Sequence, residues 1–382
     1  MQIKSLKKSA GRTVRPGSLQ MLEMAEAKPP CCGPPTTATG GVISEAVPGF
    51  VGWLKTAAGP VAQVATELTF RDHLGACQVR WGFRRMSYLV PPGLYALGTP
   101  TGEAAMVVTC NYKMTFDLVR RVLHGRNVWL LVLETHGVNV WCAAGKGTFG
   151  TRELVRRLKA TRLSEIVGHR RLLLPILGAP GVAAHEVSKQ TGFAVSYATL
   201  RAEDLPAYLD NKMTTTPAMR AVTFTWYERL VLIPVELVMA ARTTLIVGCV
   251  LYIVGALAGG RTASLTLSLA YLGAVLTGVA LGPLLLPWLP GKSFAGKGAI
   301  AGVAWVLVCY LMAGGSSWGV PTTTAAFLAL PAVSAYYTLN FTGCTVYTSR
   351  SGVKKEMRLG LPLMGGAIAV SLILLVIGQF LP

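Results

Sequence analysis

The sequence predicts a two-part protein: a doubly wound α/β domain followed by an all-α transmembrane domain of about five helices. Three observations predict it. From about residue 100, short apolar β-rich runs alternate with amphipathic helical ones, as in parallel strands joined by crossover helices. Hydrophobic residues make up 52% of the 382 and charged residues only 14%, against about 25% charged in an ordinary globular chain. This argues against a wholly soluble protein and excludes disordered, collagen-like and coiled-coil classes. Finally, of 36 Lys and Arg residues only eight lie beyond position 230, and of 17 Asp and Glu only Glu236 and Glu356 do, so residues 1–230 hold a net charge of about +13. The chain divides into a basic soluble part and an apolar part.

Residues 1–79 form a tail and a poorly patterned segment. Lys4, Lys7, Lys8, Arg12 and Arg15 are followed by no apolar run, so no signal peptide is expected. Residues 28–41 are rich in Pro and Gly and read as a linker. Cys31-Cys32 within it is either an incidental thiol pair or a soft-metal trap.

Residues 80–225 form the expected α/β domain. Residues 105–109 and 128–134 read as buried strands with a helix over 115–124 between them. An amphipathic helix over 152–159 follows, for which Thr148 or Thr151 would serve as the cap. Then come an apolar run at 172–177, a helix at 182–190 and a strand at 193–197. Sheets of this kind bind ligands beyond the C-terminal ends of their strands. Here those ends lead into Cys110-Asn111-Tyr112-Lys113 and into residues 136–148.

Residues 226–382 form the membrane domain. Residues 226–241 read as an interfacial lead-in containing Glu236, and spans of bilayer length are expected at 243–260, 262–289, 298–314, 322–341 and 359–380. Loops at 290–297 and 342–358 carry Lys292, Lys297, Arg350, Lys354, Lys355 and Arg358, whereas the opposite side carries Arg261 alone. The positive-inside rule then places the soluble part in the cytoplasm and the C-terminus outside a multi-pass inner-membrane protein. In that compartment the eight cysteines are expected as thiols.

Common motifs fail. A phosphate loop around Gly145-Lys146 would need Gly at 140 and Ser or Thr at 147, but the chain has Val140 and Gly147. Gly145-x-Gly147-x-x-Gly150 matches a dinucleotide fingerprint by letter only: a cysteine-centred loop precedes it and no acidic ribose partner is clear. His185-Glu186 lacks the second His of a zinc helix. No C-x-x-C is present, so neither an intrinsic iron–sulfur cluster nor structural zinc is expected. No aromatic-rich basic motif supports nucleic-acid binding.

What remains is Asn139-Val140-Trp141-Cys142-Ala143-Ala144-Gly145-Lys146-Gly147-Thr148. Small residues beside Cys142 would let a large flat ligand approach its sulfur. Lys146 and the start of a following helix favour thiolate over thiol, suiting a soft metal centre. The same residues also fit a buried structural cysteine in a glycine-rich turn.

The run NVWCAAGKGTFGT resembles the signature of the mercury-methylating corrinoid proteins, a family related to the large subunit of the corrinoid iron–sulfur protein. The resemblance extends through VPPGLYALGTP, VTCNYKMTFD and LPILGAPGVAAHEV, roughly residues 80–225, with Cys110 standing where a small residue is expected. It implies a Rossmann-like corrinoid-binding domain holding a cobalamin-type cobalt cofactor. Cys142 would be the lower axial ligand and the catalytic residue. Asn139, Val140, Trp141, Ala143 and Ala144 would line the lower face, with Gly145 and Lys146 completing the loop. Thr109, Asn111 and Thr115 would approach from the first βα connection. Gly178, Gly181 and Val182, with His185, would form a third wall, although His185 equally suits the polar face of a helix. No histidine sits in the D-x-H-x-x-G pattern that supplies cobalt in another cobalamin class; Asp72-His73-Leu74-Gly75 has the wrong spacing.

The activity so implied is methyl transfer from a methyl-cobalt corrinoid to Hg(II), giving methylmercury. Hg(II) is an electrophile and takes methyl as a carbanion or radical equivalent. A thiolate trans to the cobalt–carbon bond pushes electron density toward that carbon. The implied partners are a ferredoxin-like protein with two 4Fe–4S clusters as reductant, a methyltetrahydrofolate-dependent donor system, and the lipid bilayer. Two rivals stay open: a membrane-tethered methyl carrier of one-carbon metabolism, and a transporter with a regulatory soluble domain. Transport pathways place ionisable residues within spans, and beyond Glu236 and Arg242 these spans have essentially none. Cys249, Cys309 and Cys344 could pass a metal, or simply pack.

Overall fold

The computed structural model describes residues 47–345, 348 and 350–378; Cys31-Cys32 and the expected linker at 28–41 lie outside them. The α/β part is built on one mixed sheet of β1 (Phe50–Thr56), β2 (Gly59–Val64), β3 (Gly93–Leu97), β4 (Met106–Cys110), β5 (Val128–Leu133), β6 (Arg171–Leu174) and β7 (Ala194–Tyr197). The strand order is β1-β2-β3-β5-β4-β6-β7. Strands β5, β4, β6 and β7 run parallel, while β3 runs antiparallel to β5. Every residue of MVVTC in β4 and VWLLVL in β5 is buried, which is why these strands read as unbroken apolar runs. At the edge, β1 alternates between exposed and half-buried positions.

The crossovers are α1 (Phe70–Arg80), α2 (Lys113–Val122), α3 (Val140–Lys146), α4 (Thr151–Ala160) and α5 (Ala184–Thr191), and α6 (Leu205–Asp210) follows the last strand. From β4 the chain passes through α2 to β5 on one side, then through α3 and α4 to β6 on the other. The connections diverge between β4 and β6, and open α/β sheets bind ligands at such a point. The expected caps of α4 are not used. Gly150 is the N-cap, and the Thr151 hydroxyl, already inside the helix, instead accepts the Ala183 N–H at 2.8 Å.

Residues 50–80, unplaced by pattern, complete the sheet edge and are locked to α2 by buried charges. Lys113 Nζ lies 2.5 Å from both Asp72 and Asp117, and fully buried Arg120 meets the same two carboxylates at 2.9 Å. The Arg120 guanidinium also donates to the Ala65 and Glu67 carbonyls. Burial alone would raise the Asp72 pKa, but its hydrogen bonds from Lys113 and Thr69 hold it well below the carboxylate range.

Among the described residues of the C-terminal part, three helical stretches, against the about five helices expected, are long and apolar enough to cross a membrane: Trp226–Leu285, Phe294–Met312 and Ser351–Ile377. The first covers the first expected span and most of the second. Its main segment, α7 (Ile233–Leu276), is broken where Gly259 (φ −150°, ψ 19°) and Gly260 (φ 72°, ψ −161°) leave helical geometry. The two arms fold back on each other. A Cβ on Gly255 would lie 2.6 Å from Ser264 Cα, and the Ser268 hydroxyl donates to the Gly248 carbonyl at 3.3 Å. After α8 (Phe294–Met312), the fourth expected span is α9 (Val320–Asn340), which is less apolar than the three. Its hydroxyls serve packing: Ser334 donates to Ala274 O and Thr338 to Gly278 O, at 2.8 and 3.0 Å. The last helix is α10 (Arg350–Ile377).

Candidate functional site

The segment expected as a cysteine-bearing loop is a short capped helix, α3. The Asn139 side chain accepts the Cys142 N–H at 3.0 Å, as an N-cap should, and Gly147 ends the helix at φ 80°. Helical spacing then sorts the signature into two faces. Val140, Ala143 and Ala144 are buried against the domain, while Cys142, Gly145 and Lys146 are exposed. A Cβ on Gly145 would meet nothing within 4 Å, so the surface beside the Cys142 sulfur is open.

The loop leading into α3 is pinned from two directions. The side-chain oxygen of buried Asn111, at the end of β4, accepts from the Thr135 N–H and hydroxyl at 3.0 and 2.9 Å, while its amide donates to Glu134 at 2.6 Å. Glu153 of α4 accepts the Glu134 N–H at 3.0 Å and pairs with Arg157 at 2.8 Å. Burial works to raise the Glu153 pKa; the Glu134 N–H and the arginines bring it below the ordinary glutamate value. Gly137 has φ 72°, and a Cβ there would lie 2.8 Å from the Leu89 side chain and 3.0 Å from Met86 O.

Beyond the C-terminal ends of β4 and β6 lies a cavity of about 280 Å³. Of the expected site residues, Thr109, Thr115, Asn139, Val140 and Trp141 line it together. Thr109 is 1% exposed, and its hydroxyl has no hydrogen-bond partner among the described residues. Cys142 follows directly on the lining segment, on the open face of α3. The remaining expected residues support rather than line. Asn111 fixes the loop; Ala143 and Ala144 seat α3; Gly178 and Gly181 leave room for Phe149, a Cβ on Gly178 falling 2.6 Å from its ring and one on Gly181 2.1 Å from its carbonyl oxygen. Val182 is buried in the core and His185 is exposed on α5.

Sequence reasoning missed the far wall: Pro175 and Leu177 after β6, and Thr199, Arg201 and Glu203 after β7. Pro175 and Leu177 stand in a run that the sequence singles out. The residues after β7 follow a strand of the same parallel set, the one signal that could have found them. Arg201 also pairs with Glu228 and Thr223. Cys110 packs in the core, where burial pushes its thiol pKa up, so it is an inert apolar filler.

Residues 84–209 match the protein-family model of the CO dehydrogenase/acetyl-CoA synthase delta subunit. Over 125 residues the chain is 30% identical to the acetyl-CoA decarbonylase/synthase complex subunit gamma of Methanopyrus kandleri, covering 32% of this chain and 27% of that one. The subunit of the same name from Methanocaldococcus jannaschii is 28% identical over 129 residues, 33% and 26% of the two chains. That of Archaeoglobus fulgidus is 32% identical over 108 residues, 28% and 23%. The α/β part is related to these subunits. The chain spans about a quarter of the length of these curated relatives, and the matched segment holds the whole cavity and α3. The apolar helices lie outside it.

Proposed function

We propose that the protein is a membrane-anchored, corrinoid-dependent methyltransferase of the mercury-methylating kind, with Hg(II) as methyl acceptor. The observation that carries the reading is Cys142: an exposed sulfur in the first turn of a capped helix whose leading residues line a cavity at the sheet's switch point. Residues 80–225 are the corrinoid-binding domain, and the broken helix at Gly259-Gly260 supports a five-crossing anchor with its basic loops on the cytoplasmic side.

The residues present fit a corrinoid. Thr109 lines the cavity, and its buried hydroxyl has no partner among the described residues; a buried hydroxyl left so is costly unless a ligand satisfies it. The open face at Gly145 leaves space for a broad flat ring beside the sulfur. A corrinoid, when bound, supplies a transferable methyl group on cobalt.

The chain's own residues do the rest. Cys142 would hold the cobalt through its sulfur, and a sulfur donor would suit the group to passing methyl to an electrophile. Asn139 caps the helix and holds the backbone that carries this sulfur. Asn111 and Glu153 keep the preceding loop in one position, so the donor is preorganised. Thr109, Thr115, Val140 and Trp141, which line the cavity, would hold the part of the cofactor that enters it. Lys146 and the other basic residues of the domain suit an acidic reductant, the ferredoxin-like partner with two 4Fe–4S clusters. A methyltetrahydrofolate-dependent system reloads the methyl group.

In membranes from cells making Cys142→Ala at wild-type levels, methylmercury formation is expected to fall to background while the protein stays folded and inserted. Retained activity would overturn the role of the sulfur. The kinship with acetyl-CoA decarbonylase/synthase subunits favours one second reading, a methyl carrier for another one-carbon acceptor. Product analysis with and without Hg(II) separates the two.

A further inference from the structure

The turn after α1 has no part in the proposed chemistry, yet it combines three features. Its sequence is Arg80-Trp81-Gly82-Phe83-Arg84-Arg85-Met86, and no Asp or Glu occurs from residue 73 to residue 102. Its large side chains point to solvent: Phe83 and Met86 are each 65% exposed and Trp81 44%, with Phe70 and Leu74 of α1 also exposed. It is rigid. Gly82 (φ 79°) and Arg84 (φ 51°) close the turn, the Phe83 N–H donates to Gln78 O at 3.0 Å, and Tyr88 beyond it donates to Asp72 O and lies 4.9 Å under Lys113 Nζ. A soluble surface does not ordinarily keep such a cluster in water.

Its position names the occupant. A Cβ on Gly82 would lie 3.5 Å from Val238 Cγ1, and Val238 sits in the first turns of α7, a few residues before Arg242 and the uncharged run that follows. Exposed Trp226 and Tyr227 stand at the same approach to the membrane. Aromatic side chains with nearby Arg are the composition of a membrane–water interface. We propose that this turn docks the α/β part on the bilayer, Trp81, Phe83 and Met86 entering the interface while Arg80, Arg84 and Arg85 take anionic phospholipid headgroups. The docking orients the candidate site. Leu89 and Met86 back directly onto Gly137 in the loop before α3, so the ligand end of the sheet faces the bilayer and the start of β1 faces away. The inference rests on the apolar helices crossing a bilayer, and is independent of the corrinoid.

The test places a photoreactive phenylalanine analogue at position 83 of the full chain, or, as control, at exposed Val51 at the opposite end of the sheet. Each protein is reconstituted in nanodiscs of phosphatidylcholine with or without phosphatidylglycerol. Lipid adducts at position 83 are expected several-fold above those at 51 and higher with the anionic lipid. Replacing all three arginines (Arg80→Gln, Arg84→Gln, Arg85→Gln) should remove that lipid dependence. In a chain that has inserted, adducts at 83 no greater than at 51 would overturn the docking surface alone, and crosslinks to an added protein instead would assign the patch to a protein partner. A chain that fails to insert overturns the membrane reading together with it.

Discussion

Thr109 is the side chain that most directly asks for a ligand. The residue lines the cavity and its buried hydroxyl has no partner among the described residues, so Thr109→Val should leave the cofactor-free protein equally stable or raise its stability by up to ~1 kcal/mol. The same change should weaken corrinoid binding several-fold; melting curves and a binding titration check the two halves. Asp72 behaves oppositely. It is shared by Lys113 and Arg120, and Asp72→Asn is expected to cost ~3 kcal/mol, as loss of one partner in a buried ion cluster does. Because its folded pKa is depressed, the stabilisation is fully present above the unfolded carboxylate value of about 4. It disappears as pH falls below that toward the folded value. The gap in thermal midpoint between wild type and Asp72→Asn should therefore hold from pH 7 to pH 5 and narrow toward pH 2. Cys142 could be singled out in the sequence by its small neighbours and by Lys146, whereas the capping role of Asn139 could not. The cluster of Asp72, Lys113, Asp117 and Arg120 could not, because Asp72 lies 41 residues from Lys113.

At the scale of elements, α3 and α7 show where pattern reading stops. The signature looked like a loop because Gly145, Gly147 and Gly150 punctuate it. Asn139 and Gly147 instead cap two turns of helix, and Ala143 and Ala144 let it lie close on the domain. The periodic elements, β4, α2, β5, α4, β6, α5 and β7, were legible to within a few residues, since their burial follows directly from their apolar runs. In α7 the sequence placed two spans meeting near Gly260, and the chain forms two helical arms that meet at Gly259-Gly260 and fold back on each other there. The φ and ψ of Gly260 belong to a region that is essentially glycine-only, costing other residues about 1–3 kcal/mol. Since a Cβ on Gly255 would lie 2.6 Å from Ser264 Cα, Gly255→Leu is expected to force the arms apart and lower the thermal midpoint of the purified full chain. An unchanged midpoint would mean that the arms do not pack.

The whole molecule joins a mixed sheet with a cavity at its switch point to an apolar helical part, and the division was legible in the distribution of charge. The sequence did not reveal that residues 50–80 extend the sheet. Strand β2 pairs with β3 across about thirty residues of intervening chain, and long-range pairing of an edge leaves no local period. Nor did it show that the far wall of the cavity comes from residues after β7, since only the strand order β5-β4-β6-β7 brings them beside β4.

The central claim is that Cys142 gives its sulfur to the cobalt of a corrinoid held at this switch point. The measurement that tests it most directly compares the visible and EPR spectra of purified wild-type and Cys142→Ala protein after loading with cobalamin. Both proteins are expected to bind the corrinoid, with a spectrum in wild type that shifts when the sulfur is removed. Identical spectra, or no corrinoid bound by well-folded wild-type protein, would contradict it.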